Sequence, residues 1–287
     1  MTRQLPAPPA LLAAGLLALS APAHALEGTL KTIKDRKAIV VGYLKDAFPM
    51  SFESPNGPDG YSVELCSRVA AEAGKVVGIE KLETKYVALT LDNRLDAVAS
   101  GKVDIECSTT TMTLTRMQKV DFTNMTFVDG GSMLVTADSG IRRVSDLAGK
   151  RVAVIPGTTT DKALSAALAK NGVTAQVINV KEHIEGLKLL DSGGADAYAS
   201  DRVLLIGLAI QSQDIRRLRL ADEYLSYEPY GFMVRRNDAA FRLAANRVLS
   251  RVYRSGDIAQ IYNTWFGPLG APSTLLQAMY LLNGLPE

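Results

Sequence analysis

An α/β fold is what this sequence predicts, and three observations predict it. Short apolar runs alternate with amphipathic ones along much of the 287 residues, the pattern of mostly parallel sheets with covered faces. The alternation then restarts midway through the chain. Finally, two stretches echo each other: Ser100-Gly101-Lys102-Val103-Asp104 closes a helix and opens a strand, and Ser192-Gly193-Gly194-Ala195-Asp196 does the same later. Five residues past each aspartate stand Thr109 and Asp201. Equivalent strands would deliver both to their carboxyl ends, where open α/β sheets bind ligands. Read alone, the echo fits either a duplicated unit or a common helix-stop signal used twice.

The first residues hold Arg3, an apolar run from Ala10 to Leu19 and then Ala23-His24-Ala25. This reads as a secretory signal peptide over residues 1–25, with a small-x-small cleavage site after Ala25. The apolar run is about half of the roughly 20 residues a membrane span needs, and no cysteine marks a lipid anchor. Next come a buried strand over Ala38–Tyr43 and a helix over Ser62–Gly74, with Val63, Cys66, Val69, Ala70 and Ala73 on one face. A helix near Asn93–Ser100, a strand at Val103–Glu106 and an extended segment from Met125 to Val135 follow.

The second round runs strand Arg151–Ile155, helix Asp161–Asn171, strand Ala175–Val180, helix Glu182–Asp191, strand Ala195–Ala199 and a helix after Asp201. Phe241–Phe266 reads as helices. The tail after Pro268 carries Leu275, Leu276, Met279, Tyr280, Leu281 and Leu282, a helix that either packs on the body or meets a partner.

The formal charge is +2. No lysine or arginine block marks a nucleic-acid surface, and the densest basic patch, Arg216-Arg217-x-Arg219, reads as a solvated strand edge. GxSxG, HExxH, P-loop and GxGxxG signatures are all missing, so no cofactor is expected and an enzyme is disfavoured. The two cysteines, Cys66 and Cys107, fall in a chain bound for an oxidising compartment. A disulfide is the first reading and two buried thiols the second. Two cysteines exclude a CxxC motif at this spacing and a four-cysteine zinc site.

The most informative segment is DIECSTTTMTLTRMQKVDF, Asp104 to Phe122. Three consecutive threonines and then Arg116 place hydroxyls beside a planar two-pronged cation, the donor set a small carboxylate requires. In isolation, Arg116 reads first as a surface ion pair with Asp121. Further on, Gly157-Thr158-Thr159-Thr160-Asp161 follows a strand and opens a helix, either an anion-binding helix N-terminus or a simple threonine cap.

With gaps, the stretch from Lys31 to Phe266 resembles the family 3 extracellular solute-binding proteins of amino-acid ABC transporters, most closely the glutamate/aspartate-binding branch. That resemblance implies a type II periplasmic-binding-protein fold: two α/β lobes, a two-segment hinge and a ligand in the cleft. It places lobe 1 at residues 26–131 and 231–267, lobe 2 at 132–230, hinge crossings near 127–133 and 228–232, and a tail helix in 268–287. It also implies a periplasmic monomer that takes a small amino acid and delivers it to a membrane permease.

The resemblance assigns roles as well. Arg116 and Thr111, with Thr159 and Thr160, would hold the α-carboxylate. Asp201, helped by Thr109, would hold the ammonium. His183 and Arg94 would meet an acidic side chain. Asp201 by itself fits a helix N-cap, and a lone histidine is usually structural. Leu44 and Leu91 depart from the pattern, standing where related receptors place an arginine and a serine. Arg94, Arg116 and Asp201 sum to +1, which complements an acidic ligand and opposes a basic one. Glutamine stays open as the neutral alternative, and a dehydratase on the same fold is the rival class.

Overall fold

The computed structural model describes Met1 and residues 26–286. The leader read at residues 1–25 lies, Met1 apart, outside the described residues. The chain begins α1 (Gly28–Arg36), β1 (Ala38–Leu44), β2 (Asp46–Ala47), β3 (Ser51–Ser54), β4 (Gly57–Asp59), α2 (Tyr61–Val77), β5 (Glu83–Leu89), α3 (Arg94–Ala99), β6 (Ile105–Glu106), α4 (Leu114–Met117) and β7 (Val120–Asp129). It continues β8 (Gly131–Thr136), β9 (Arg151–Val154), α5 (Thr159–Asn171), β10 (Gln176–Asn179), α6 (His183–Asp191), β11 (Ala197–Asp201), α7 (Arg202–Gln211) and β12 (Leu218–Leu220). It closes with β13 (Glu228–Arg235), α8 (Ala239–Ser255), α9 (Asp257–Phe266) and α10 (Thr274–Asn283).

Two five-stranded sheets organise the molecule, ordered β5-β1-β6-β13-β7 and β10-β9-β11-β8-β12, beside a small sheet β2-β3-β4. Each large sheet with its helices forms a lobe. β7 leaves the first sheet, Gly130 intervenes, and β8 opens the pairing of the second; β13 returns antiparallel to β7. These crossing strands correct the expectation of mostly parallel sheets. β1 pairs parallel with β5 and β6, and β9 with β10 and β11, but β13 and β8 pair antiparallel with their neighbours. The strand that enters each sheet from the other lobe, β13 in the first and β8 in the second, runs against its neighbours, so the sheets are mixed.

The echo marks a structural duplication. Gly101 and Gly193 both sit in the left-handed region, at φ 75° and 69°. Asp104 N donates to Val40 O and Asp196 N to Arg151 O, each at 2.8 Å. In return, the Asp104 carboxylate accepts Val40 N–H and the Asp196 carboxylate accepts Arg151 N–H, each at 2.7 Å. The same reciprocal clamp thus locks β6 to β1 and β11 to β9, and Thr109 and Asp201 leave at the same ends.

Burial follows the periodicities. α2 buries Tyr61, Leu65, Val69, Ala73 and Val77, a stripe at i, i+4 spacing. Along β8, Met133 and Val135 face one core and Leu134 the other, the two-residue period of a sheet covered on both faces. Cys66 of α2 is disulfide-bonded to Cys107, and Ser62 Oγ donates to Ser108 O at 3.0 Å. α2 therefore fixes the segment that carries Thr109–Thr111. The tail forms α10, which packs Leu276, Met279 and Tyr280 against the body and leaves Leu275, Leu281 and Leu282 exposed. Among the described residues, no helix is long and apolar enough to cross a membrane.

Candidate functional site

Arg94, Thr109, Thr111, Arg116, Thr159, Thr160, His183 and Asp201 line one cavity between the two sheets, joined by Leu91, Ile155, Thr158, Ala199, Ser200 and Leu204. The first lobe brings Arg94 at the start of α3, the loop after β6 and Arg116 of α4; the second brings the starts of α5 and α6 and the end of β11.

Arg116 does not pair with Asp121, whose carboxylate takes Arg242 at 3.3 Å and Asn237 N–H at 3.0 Å. Instead, its Nη1 donates to Thr111 O at 2.7 Å. Burial, reinforced by the nearby Arg94 charge, holds Arg116 down to about 10. Arg94 is 4 % exposed, and its Nε and Nη1 have no hydrogen-bond partner. Burial lowers its pKa, and Glu106 is the largest influence opposing that. A buried donor without a partner costs about 1–3 kcal/mol, more when charged. Arg94 is therefore a cation poised for an acceptor.

His183 is 4 % exposed and its Nε2 is likewise unpartnered. Its Nδ1 lies 2.8 Å from Tyr198 Oη, its backbone N–H donates to Asp46 Oδ2 at 2.8 Å, and burial lowers its pKa, favouring the neutral ring. Ser200 Oγ lies 3.5 Å from the same Nδ1. With a hydroxyl donating to Nδ1, the neutral ring carries its proton on Nε2, where it is available to an acceptor.

Asp201 stands at the N-cap of α7 but makes no side-chain cap bond. Its Oδ1 accepts from Thr160 Oγ1 at 2.7 Å and its Oδ2 from Tyr230 Oη. Burial, then the Glu228 charge, raises it to about 6. In the α5 turn the cap is Thr158, whose Oγ1 accepts from Asp161 N at 3.1 Å. That leaves Thr159 and Thr160 in the first helical turn, where amides lack intrahelical partners.

Glu228 was not legible as a site residue. It is fully buried where β13 leaves the second lobe, and it gathers hydroxyls from three places: Thr111 of lobe 1, Thr159 of lobe 2 at 2.7 Å, and Ser226 between them. The two threonine hydroxyls stand 3.4 Å apart. Glu106 is also fully buried, raised by burial, and accepts from Ser108 and, at 2.9 Å, from Thr110. These two carboxylates correct the charge sum. Arg94, Arg116, Asp201, Glu106 and Glu228 total −1 when all are ionised, so net charge does not select an acidic ligand. Selection falls to the groups that line the cavity.

Leu44 is buried in the first core and Lys45 pairs with Glu53 at the surface, so neither reaches the cavity; Leu91 does. The lobes touch elsewhere too. Gly207 of α7 meets lobe 1 so closely that a Cβ there would lie 2.1 Å from the Phe48 carbonyl oxygen.

Two duplicated α/β lobes, two crossing strands and a polar cavity between them define a two-lobed small-molecule-binding protein. The chain belongs to the bacterial extracellular solute-binding proteins, family 3, whose profile matches residues 39–268. It is similar to the L-glutamate/L-aspartate-binding protein of Pseudomonas aeruginosa, with 34% identity over 270 residues covering 90% of this chain and 87% of that protein. Among solved structures, a mutant of ArgBP from T. maritima superposes with a TM-score of 0.73 at 29% identity, covering 84% of this chain and 100% of that one. The ancestral amino acid-binding protein AncCDT-1, a precursor of cyclohexadienyl dehydratase, also gives 0.73 at 29% identity, covering 83% and 100%.

Proposed function

We propose that this chain is the periplasmic substrate-binding component of an amino-acid ABC transporter, and that it closes two lobes on L-glutamate or L-aspartate for a membrane permease. Lobe 1 takes residues 26–131 and 231–267, and lobe 2 takes 132–230. The observation that carries the reading is the pair of unpartnered, buried donors lining the cavity, Arg94 Nε/Nη1 and His183 Nε2. A side-chain carboxylate can accept from one edge of the Arg94 guanidinium and from His183 Nε2.

The remaining groups suit the zwitterion. Arg116 and the free amides of the α5 turn receive the α-carboxylate, while Asp201 with Thr109 receives the ammonium. Thr111, Thr159 and Thr160 donate their single protons to buried carboxylates. With those protons committed, their oxygens remain as acceptors, and they orient the ligand rather than grip its carboxylate. A cationic side chain beside Arg94 would cost on the order of 4 kcal/mol at about 4 Å and an effective dielectric of roughly 20.

Contacts from both lobes make the ligand prefer the closed state, a requirement for any ligand-driven closure. Leu91 on the cavity wall supports a second reading, glutamine, because it supplies no polar partner for a second charged oxygen.

Calorimetric titration of the mature, ligand-stripped protein with L-glutamate, L-aspartate, L-glutamine and L-arginine separates these readings. One-to-one binding of an acid with no arginine heat supports the first. Glutamine binding alone supports the second, and tight arginine binding refutes both.

A further inference from the structure

Helix α7 begins at the hinge, and its first two amides are satisfied by the crossing segment. Arg202 N donates to Gly130 O at 2.9 Å and Val203 N to Asp129 Oδ2 at 2.8 Å. The residue at the N-cap position is Asp201, a residue type that usually caps its own helix through its side chain. Here it does not; both its oxygens are held by Thr160 and Tyr230 at the cavity wall. Two carboxylates compete for one helix terminus, and the hinge strand supplies the one that caps it.

We propose that Asp129 is a positioning residue of the binding site: by capping α7 from the end of β7, it leaves the Asp201 carboxylate free to face the cavity and receive the ligand's ammonium. The second half of this statement rests on the amino-acid reading above; the first half does not. An uncapped α7 would leave the Val203 amide without an acceptor, and Asp201 is the nearest carboxylate by sequence.

Asp129 also stands opposite Glu228 in the β7–β13 ladder. The cap therefore belongs to the same hinge register that carries the hydroxyl-gathering carboxylate. Burial raises the Asp129 carboxyl to about 7, and the Asp201 charge adds to that, while the Val203 and Gly130 amides and Arg202 oppose it. The amides favour the charged cap, so its removal exposes the helix end.

Two variants test the proposal, Asp129→Ala and Asp129→Asn, each titrated with L-glutamate and with glutarate, which keeps both carboxylates and lacks the ammonium. In Asp129→Ala the carboxylate of Asp201 turns to the helix, so glutamate affinity falls about 10- to 100-fold while glutarate affinity stays within about threefold. Asp129→Asn keeps an acceptor for Val203 N–H and binds both ligands within about threefold of the parent. A merely structural defect would weaken glutamate and glutarate alike, and that result, or unchanged glutamate binding in Asp129→Ala, overturns the proposal.

Should the parent protein bind neither ligand, the ligand class has failed rather than the cap. The crystal structure of Asp129→Ala then decides. Asp201 bonded to the α7 amides supports the proposal, and Asp201 still on Thr160 and Tyr230 refutes it.

Discussion

Replacing Arg94 with methionine keeps an apolar stem and removes the guanidinium. In the free protein, Arg94 is buried with Nε and Nη1 unpartnered, and no carboxylate of the described residues forms an ion pair with it within 4.0 Å. Nε and Nη1 lie on different edges of the guanidinium, so a ligand carboxylate takes one of them, a charge-assisted hydrogen bond of about 1.5–3 kcal/mol. The middle of that range, about 2 kcal/mol, predicts roughly 30-fold weaker glutamate binding by calorimetry.

The same substitution removes a buried cation that has no ion pair within 4.0 Å among the described residues, so urea unfolding of the ligand-free variant should show a midpoint equal to or above the parent's. Glu106 loses the larger of its two cationic influences, but it keeps the Ser108 and Thr110 hydroxyls and its carboxyl is already raised by burial. A variant that binds glutamate within tenfold of the parent yet unfolds more than about 2 kcal/mol more easily would refute the reasoning. Arg94 would then be a structural counter-charge for Glu106.

Asp201 makes binding pH-dependent. Its carboxyl is raised to about 6 in the free protein, so the native state holds the proton more tightly than the unfolded chain at about 3.9. The stability this contributes is present below pH ~4 and is lost as pH rises through about 6. A ligand ammonium favours the ionised form, so glutamate affinity should climb by up to about tenfold per pH unit from pH 5 to 6 and then level. Binding heats at pH 6 should differ between buffers of different ionisation enthalpy, and identical heats would count against an ammonium at Asp201.

Gly207→Ala places a methyl against the Phe48 carbonyl across the cleft. Glutamate affinity should drop at least about tenfold, while the open protein gains up to about 1 kcal/mol of helix propensity. Small-angle scattering that still contracts fully on ligand addition would contradict this. Cys66→Ser with Cys107→Ser opens a loop of sequence separation 41, a loss of about 4 kcal/mol on chain entropy. Glutamate affinity should fall too, because Thr109–Thr111 follow Cys107. A urea-derived stability loss under about 1 kcal/mol would mean that the bridge constrains little.

Most strands were legible because buried β runs are continuous and apolar, as in Ala38–Leu44 and Arg151–Val154. β5 was not, since an edge strand reading Glu83-Thr84-Lys85-Tyr86 is largely exposed and lacks that signal. The small sheet β2–β4 escaped for another reason: its strands have two to four residues, too short for any period to show.

The threonine-arginine motif was readable because its chemistry is local in sequence. Glu228 and Asp129 were not, because their positions arise only from the register of β7 against β13, which brings residues about 100 apart face to face. Asp201 illustrates both sides. Its residue type and position spell a helix cap, and only the arrival of Asp129 from another strand shows that the cap is already supplied.

The most direct measurement is the crystal structure of the mature protein with L-glutamate. The account predicts a closed cleft with one glutamate, its side-chain carboxylate on the Arg94 guanidinium and its ammonium on Asp201. A ligand lying the other way round, or an Arg94 that stays unpartnered beside bound glutamate, would contradict it.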